Sequence, residues 1–228
     1  MNFSYLVLFI ICLVAIGILL FNIVVAYRIQ YVGFRQILIG LFTFSMLRYF
    51  TLIIYGDSPS LSQLESLKYL YNTTSIGLTI PTALVIWYIT PHLRQKLSYI
   101  TYLLYFSPWI LFNAFIIISQ PTEIVIAPNF GYVVRFVGEY NNYISHVQTT
   151  FVVIIILLCL VGIISYKNPI LQSQYALILF GQVVLAFDGL RIVKGIETRL
   201  LNPFTVTEII AFVAIYYALK EKPFDLKG

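Results

Sequence analysis

The chain has 228 residues, of which 60% are hydrophobic and 10% charged, with a formal net charge of +5 and a mean hydropathy of +0.91. Soluble domains carry roughly 25% charged residues, so the composition excludes an ordinary water-soluble fold and makes lipid the expected solvent. The 14 basic residues are scattered over short segments instead of forming an arm or stripe, which makes the charge a topology signal and argues against nucleic acid as a partner.

Seven apolar stretches follow one another, at 3–26, 37–55, 69–90, 97–119, 143–165, 175–193 and 203–220. Each is long enough to cross about 30 Å of hydrocarbon as a helix. The first begins without a basic segment or a small-residue cleavage site, so it reads as a retained helix and not a removed signal. Cys12 lies in it and Cys159 in the fifth; both read as small buried apolar residues, with no disulfide, metal or cofactor implied.

The second stretch carries Ser45 and Arg48. The third carries Asn72, Ser75, Thr79 and Thr82 at three- and four-residue spacing, which places them on one helix face. Pro81 in the third and Pro108 in the fourth predict kinks. His92, in the short connection between them, reads as a solvated interfacial residue.

The longest connection, 120–142, holds two β-prone runs between Glu123 and Phe136, flanking Pro128-Asn129-Phe130-Gly131. That pattern predicts a small β-hairpin between helices four and five. His146 and Thr149 open the fifth stretch, Asp188 and Arg191 stand late in the sixth, and Glu208 stands early in the seventh. Asn202 fits a cap for the seventh, and Pro203 suits a first helical position.

Charge sorts the connections. After stretches one, three, five and seven come Arg28, Arg35, Arg94, Lys96, Lys167, Lys220, Lys222 and Lys227 against Glu221 and Asp225. The other side carries Lys68, Arg135, Lys194 and Arg199 against Asp57, Glu65, Glu123, Glu139 and Glu197. The basic set is the cytoplasmic one. The expectation is an all-α membrane protein: a multi-pass, seven-transmembrane helix bundle in the cell membrane, N-terminus outside, C-terminus cytoplasmic, hairpin external.

Ionisable residues inside hydrocarbon are costly and point to function. Arg48, Asp188 and Glu208 fall within roughly 5 Å of one another in depth, at 1.5 Å per helical residue. Asp188 and Arg191 are i,i+3 neighbours. Two cations and two anions at similar depth should pair. Two readings stay open: an ion-pair network that fixes helix packing, or a polar ligand pocket open to the outside, with Asn72 and His146 as supporting residues. A proton or ion path is a third. Packing is the plainer reading of His146, and interhelical hydrogen bonding that of the polar residues of the third stretch.

Several enzyme classes are excluded. The sequence has no His-Glu-x-x-His, no Gly-x-Ser-x-Gly and no phosphate-binding glycine loop. Asp188-Gly189-Leu190-Arg191 overlaps the start of a lipid phosphatidyltransferase motif, but the later paired aspartates are missing. A retinal protein needs a lysine within the seventh helix, where Lys220 stands only at the end.

Three places resemble the seven-helix N-terminal sensory region of histidine kinases. These are Leu67-Lys68-Tyr69-Leu70 through Pro81 to Trp87-Tyr88-Ile89-Thr90, then Gln172-Ser173-Gln174-Tyr175, and last Asn202-Pro203-Phe204-Thr205 leading to Ala218-Leu219-Lys220 and Phe224-Asp225-Leu226. Gln172 departs from the basic residue common there, and no kinase, PAS or cyclase domain follows before Gly228. The resemblance implies detection without catalysis: a stand-alone receptor-like sensor of a small ligand or membrane condition, signalling through a partner protein. The alternatives are a small transporter or channel subunit using the intramembrane charges, and a structural subunit of a membrane complex.

Overall fold

The computed structural model describes residues 3–56, 59–127, 131–189 and 205–221. These residues form α1 (Phe3–Ala26), α2 (Val32–Tyr55), α3 (Leu61–Tyr71), α4 (Thr74–Ile89), α5 (Pro91–Lys96), α6 (Tyr99–Leu104), α7 (Ser107–Ser119), β1 (Thr122–Ala127), β2 (Gly131–Phe136), α8 (Tyr140–Ser165), α9 (Pro169–Gly189) and α10 (Thr205–Lys220). Among the described residues, four helices contain segments long and apolar enough to cross a membrane: Tyr5–Ala26, Val32–Tyr55, Asn142–Ser165 and Pro169–Phe187. Large apolar side chains cover the outside of these helices, among them Ile10, Leu13, Leu20, Val161, Ile164 and Phe180. An apolar surface of this extent belongs in lipid, and the chain is membrane-embedded.

α4 is the axis. Every residue from Ile80 to Pro91 is buried, and the helix packs against α2, α7, α8, α9 and α10. Around it α9 adjoins α10, α10 adjoins α1, and α1 adjoins α2. Helix direction alternates where contacts define it. Tyr5, early in α1, donates to the Ile53 carbonyl at the end of α2 (3.1 Å). Thr90, just past α4, shares a 2.6 Å hydrogen bond with Tyr175 early in α9. The bundle thus has an Arg48 end, holding the late part of α2 and the starts of α4 and α10, and a Trp87 end opposite.

Helix existence follows hydropathy, but two expected continuous helices are broken. The third stretch divides at Asn72–Thr73. Here Thr73 Oγ1 donates to the Leu70 carbonyl (2.9 Å) and Ser75 Oγ to the Asn72 carbonyl (2.6 Å). Such side-chain bonds compete with the helical ladder. α3 has its own start, a capping box between Ser60 and Gln63. α4 runs unbroken through Pro81, so the interruption lies more than two turns before the predicted kink. The fourth stretch divides at Tyr105–Phe106, and Pro108 sits in the first turn of α7. A missing N–H costs nothing there, so the proline begins a helix where a bend was expected.

α2 starts at Val32 and not at 37, because a helix continues past the apolar window wherever its polar residues reach the interface. Arg35 does so, donating to the Tyr27 carbonyl (3.4 Å). α9 starts at Pro169 and not at 175. Asn168 Oδ1 accepts from the N–H groups of Ile170 (2.9 Å) and Leu171 (3.1 Å) ahead of a proline in the first helical position. The cap expected at Asn202–Pro203 lies outside the described residues.

The hairpin pairs β1 with β2 antiparallel, from Thr122 opposite Phe136 to Ala127 opposite Gly131. β2 packs near α3, which puts the hairpin at the Arg48 end. Its turn, 128–130, lies outside the described residues.

Candidate functional site

Arg48 and Glu208 meet at the Arg48 end. Arg48 Nη1 lies 3.0 Å from Glu208 Oε1. The same nitrogen donates to Thr74 Oγ1 (3.0 Å), and the threonine hydroxyl donates onward to Glu208 Oε1 (2.9 Å). Tyr49 OH donates to Glu208 Oε2 (2.9 Å). The guanidinium also stands over the ring of Tyr71, 5.2 Å from its centroid. Arg48 and Glu208 are each 6% exposed. The site therefore ties together α2, the α3–α4 junction and α10.

Local structure explains the positions. Arg48 and Tyr49 are consecutive on α2, and both are buried because α2 is enclosed by α1 and α4 there. Thr74 is the first residue of α4, and Glu208 is in the first turn of α10. The carboxylate thus lies beside the start of one helix and within the start of another. The turn at Asn72–Thr73 brings Thr74 to this depth. Burying an isolated carboxylate is very costly; here a guanidinium and two hydroxyls offset that cost.

Ser45 and Gly77 allow the close approach. A Cβ at Gly77 would overlap Ser45 Oγ and stand 2.9 Å from the Leu41 carbonyl. Only glycine lets α4 lie so near α2, and Thr74 is one turn away.

Asn72 and His146 stand apart from this cluster. Asn72 forms the end of α3, with its carbonyl accepting from Ser75, and makes no hydrogen bond to Arg48 or Glu208. Ser75, Thr79 and Thr82 donate their hydroxyls to carbonyls of their own segment. His146 is exposed on α8, its Nδ1 2.6 Å from the Asn142 carbonyl, on a helix outside the cluster. Asp188 is on α9 with its side chain outside the described residues, and Arg191 lies outside them entirely. Among the described residues, no three His, Cys, Asp or Glu side chains gather as a metal site would require.

Sequence reading missed Tyr49, Tyr71 and Thr74. Tyrosine is abundant here, with 18 in the chain, so no single one stands out. The Asn72-Thr73-Thr74-Ser75 run was the available signal: four residues that favour caps and turns, in an otherwise apolar stretch.

Polar ties continue away from the cluster. Asn22 Nδ2 donates to the Phe212 carbonyl (3.0 Å), joining α1 to α10. Gln174 Nε2 donates to the Ala218 carbonyl (2.8 Å), joining α9 to α10. Trp109 Nε1 donates to the Val147 carbonyl (3.0 Å), and Gln148 Nε2 to Asn113 Oδ1 (2.9 Å), joining α7 to α8. Comparison with protein-family models and with curated proteins found no match.

Proposed function

We propose that the chain is a seven-span protein of the cell membrane with its N-terminus outside and C-terminus cytoplasmic. It acts as a receptor-like or sensory module with no catalytic chemistry of its own. The spans are α1, α2, α3 with α4, α6 with α7, α8, α9 and α10. Charge supports the orientation. Among the described residues, the Trp87 end carries Arg28, Arg35, Arg94, Lys96, Lys167 and Lys220 against Glu221. The Arg48 end carries Lys68 and Arg135 against Glu65, Glu123 and Glu139.

The single observation that carries the sensory reading is the enclosed Arg48–Glu208 pair at a helix break. It joins three spans through a few directional bonds, near the external end. Separating the pair exposes two charges to a ligand and frees three helices to shift. A small ligand, or a membrane condition, that favours the separated state moves the population toward it and changes the cytoplasmic ends, where a partner protein reads them. The resemblance to kinase sensory regions points the same way.

Hydrogen exchange tests this coupling. Replacing both charges (Arg48→Met with Glu208→Met) removes the switch. Altered exchange in 91–98, at the far end of α4, is expected relative to the unmodified protein. Unchanged exchange there overturns the proposal, because the ends would not be coupled.

Transport is the second reading. The interruption at Asn72–Thr73 beside the charges favours it, since interrupted helices form sites in transporters. Thiol labelling separates the two in a background with Cys12 and Cys159 replaced by alanine. An Asn72→Cys probe that reacts from outside alone fits a receptor site; reaction from both faces fits a permeation path.

A further inference from the structure

A second feature lies on the lipid-facing side, away from the charge cluster. A groove of about 250 Å³ runs between α1 and α10, lined by Ile18, Phe21, Val213, Tyr216 and Tyr217. The Phe21 and Tyr216 rings meet across it with centroids 6.2 Å apart. Tyr216 and Tyr217 pack edge-on at 5.2 Å. Phe21 is 61% exposed and Tyr217 49%. The groove's walls are thus open to hydrocarbon, and aromatic.

Its two helices run side by side, held by the Asn22 bond to the Phe212 carbonyl. Toward the Trp87 end the groove meets a cation: Lys220, in the last turn of α10, places Nζ 5.9 Å from the Tyr217 ring centroid. Arg28 follows the end of α1 at the same end of the bundle and is exposed. A hydrocarbon channel that terminates at basic side chains matches one chemistry: an acyl chain joined to an anionic head group.

We propose that the α1–α10 groove is a binding site for an anionic phospholipid of the leaflet at the basic end. One acyl chain lies against Phe21, Tyr216 and Tyr217, and the phosphate sits beside Lys220. Tyr217 serves both parts, its ring toward the chain and toward the lysine stem. The site depends on membrane embedding and not on the sensory reading, so either can fail without the other.

Native mass spectrometry of the purified full chain, released from mixed phosphatidylglycerol and phosphatidylcholine micelles, tests it. The unmodified protein should retain phosphatidylglycerol in preference to phosphatidylcholine. Lys220→Gln should reduce that preference about fivefold, the effect of one basic residue near a charged lipid surface. Phe21→Ala should reduce retention of both lipids. Lys96→Gln, a cation at the same end but off the groove, should leave the preference intact. Equal retention of the two lipids by the unmodified protein overturns the proposal. So does a Lys220→Gln protein with undiminished preference, or equal loss in Lys96→Gln.

Discussion

The two ends of the bundle are held together by different physics. At the Arg48 end, one guanidinium, one carboxylate and two hydroxyls join α2, α4 and α10. At the Trp87 end, the work is done by rings. Phe34 stacks on Tyr88 at 5.6 Å and packs against Trp87 (5.3 Å) and Tyr99 (5.8 Å). Tyr166 stacks on Tyr175 at 6.2 Å. Trp87 Nε1 donates to the Leu97 carbonyl (3.0 Å), and Arg94 donates to the Tyr88 carbonyl. Ring contacts are many, individually modest and tolerant of small shifts. A buried ion pair is few, directional and nearly all-or-none, since losing one member strands the other. A protein that must change state at one end and report at the other is well served by this division.

The difference between the two ends is largest at the ion pair. Arg48→Ala should destabilise the protein by about 3–5 kcal/mol, by taking the guanidinium away from the buried Glu208 carboxylate. Thermal unfolding in detergent measures this. The double change Arg48→Met with Glu208→Met should recover most of that loss, because apolar replacements of a buried pair are often neutral or better. If Arg48→Ala melts like the unmodified protein, the pair contributes nothing to holding α2 to α10.

Glycines sharpen the contrast next. Gly77→Ala and Gly162→Ala should each cost about 1–3 kcal/mol by overpacking. Gly77 lies at the Arg48 end against Ser45 and the Leu41 carbonyl, one turn from Thr74; the overpacking itself persists in the double-methionine background, and only the part of the loss that comes from moving Thr74 off the ion pair should be absent there. A Cβ at Gly162 would instead overlap the Tyr175 ring, so that loss should be the same in either background. Equal behaviour of the two glycine variants in both backgrounds would dissolve the distinction between the ends.

Smaller effects follow. Tyr49→Phe removes a donor from the buried Glu208 and should cost about 1–3 kcal/mol. Gln174→Leu removes one interhelical hydrogen bond far from the cluster and should cost only about 0.6 kcal/mol, the average for such bonds in a membrane. His146→Ala, at an exposed position, should stay within about 0.5 kcal/mol of the unmodified protein. A chemical-denaturant series on the same samples ranks all three. An order with Gln174→Leu above Tyr49→Phe would place the stabilising contacts at the wrong end.

Part of this site could be read from the sequence alone. Arg48 and Glu208 stand out because charge is rare in an apolar stretch, and residue counting from span midpoints puts them at similar depth. Thr74, Tyr49 and Tyr71 do not stand out, since hydroxyls and rings are common in membrane helices and their role depends on which way each helix turns. Asn72 shows the limit of a periodic pattern. Its spacing from Ser75, Thr79 and Thr82 implies a shared face, yet the helix ends at Asn72 and the three hydroxyls satisfy their own backbone. Pro108 shows a related limit: a proline is costly within a helix but harmless in a first turn, and hydropathy cannot tell one from the other.

Local composition sufficed for the existence of apolar helices, for their lipid surroundings and for the basic end, because hydropathy and charge act through neighbouring residues. It also carried the hairpin, since alternation around a turn is local too. The tertiary structure alone decided that the third apolar stretch breaks beside Arg48, that Thr74 bridges the pair, and that α1 and α10 leave a groove ending at Lys220. These depend on rotation and approach between helices distant in sequence, where a shift of one residue turns a side chain by about 100°, the angle set by 3.6 residues per turn.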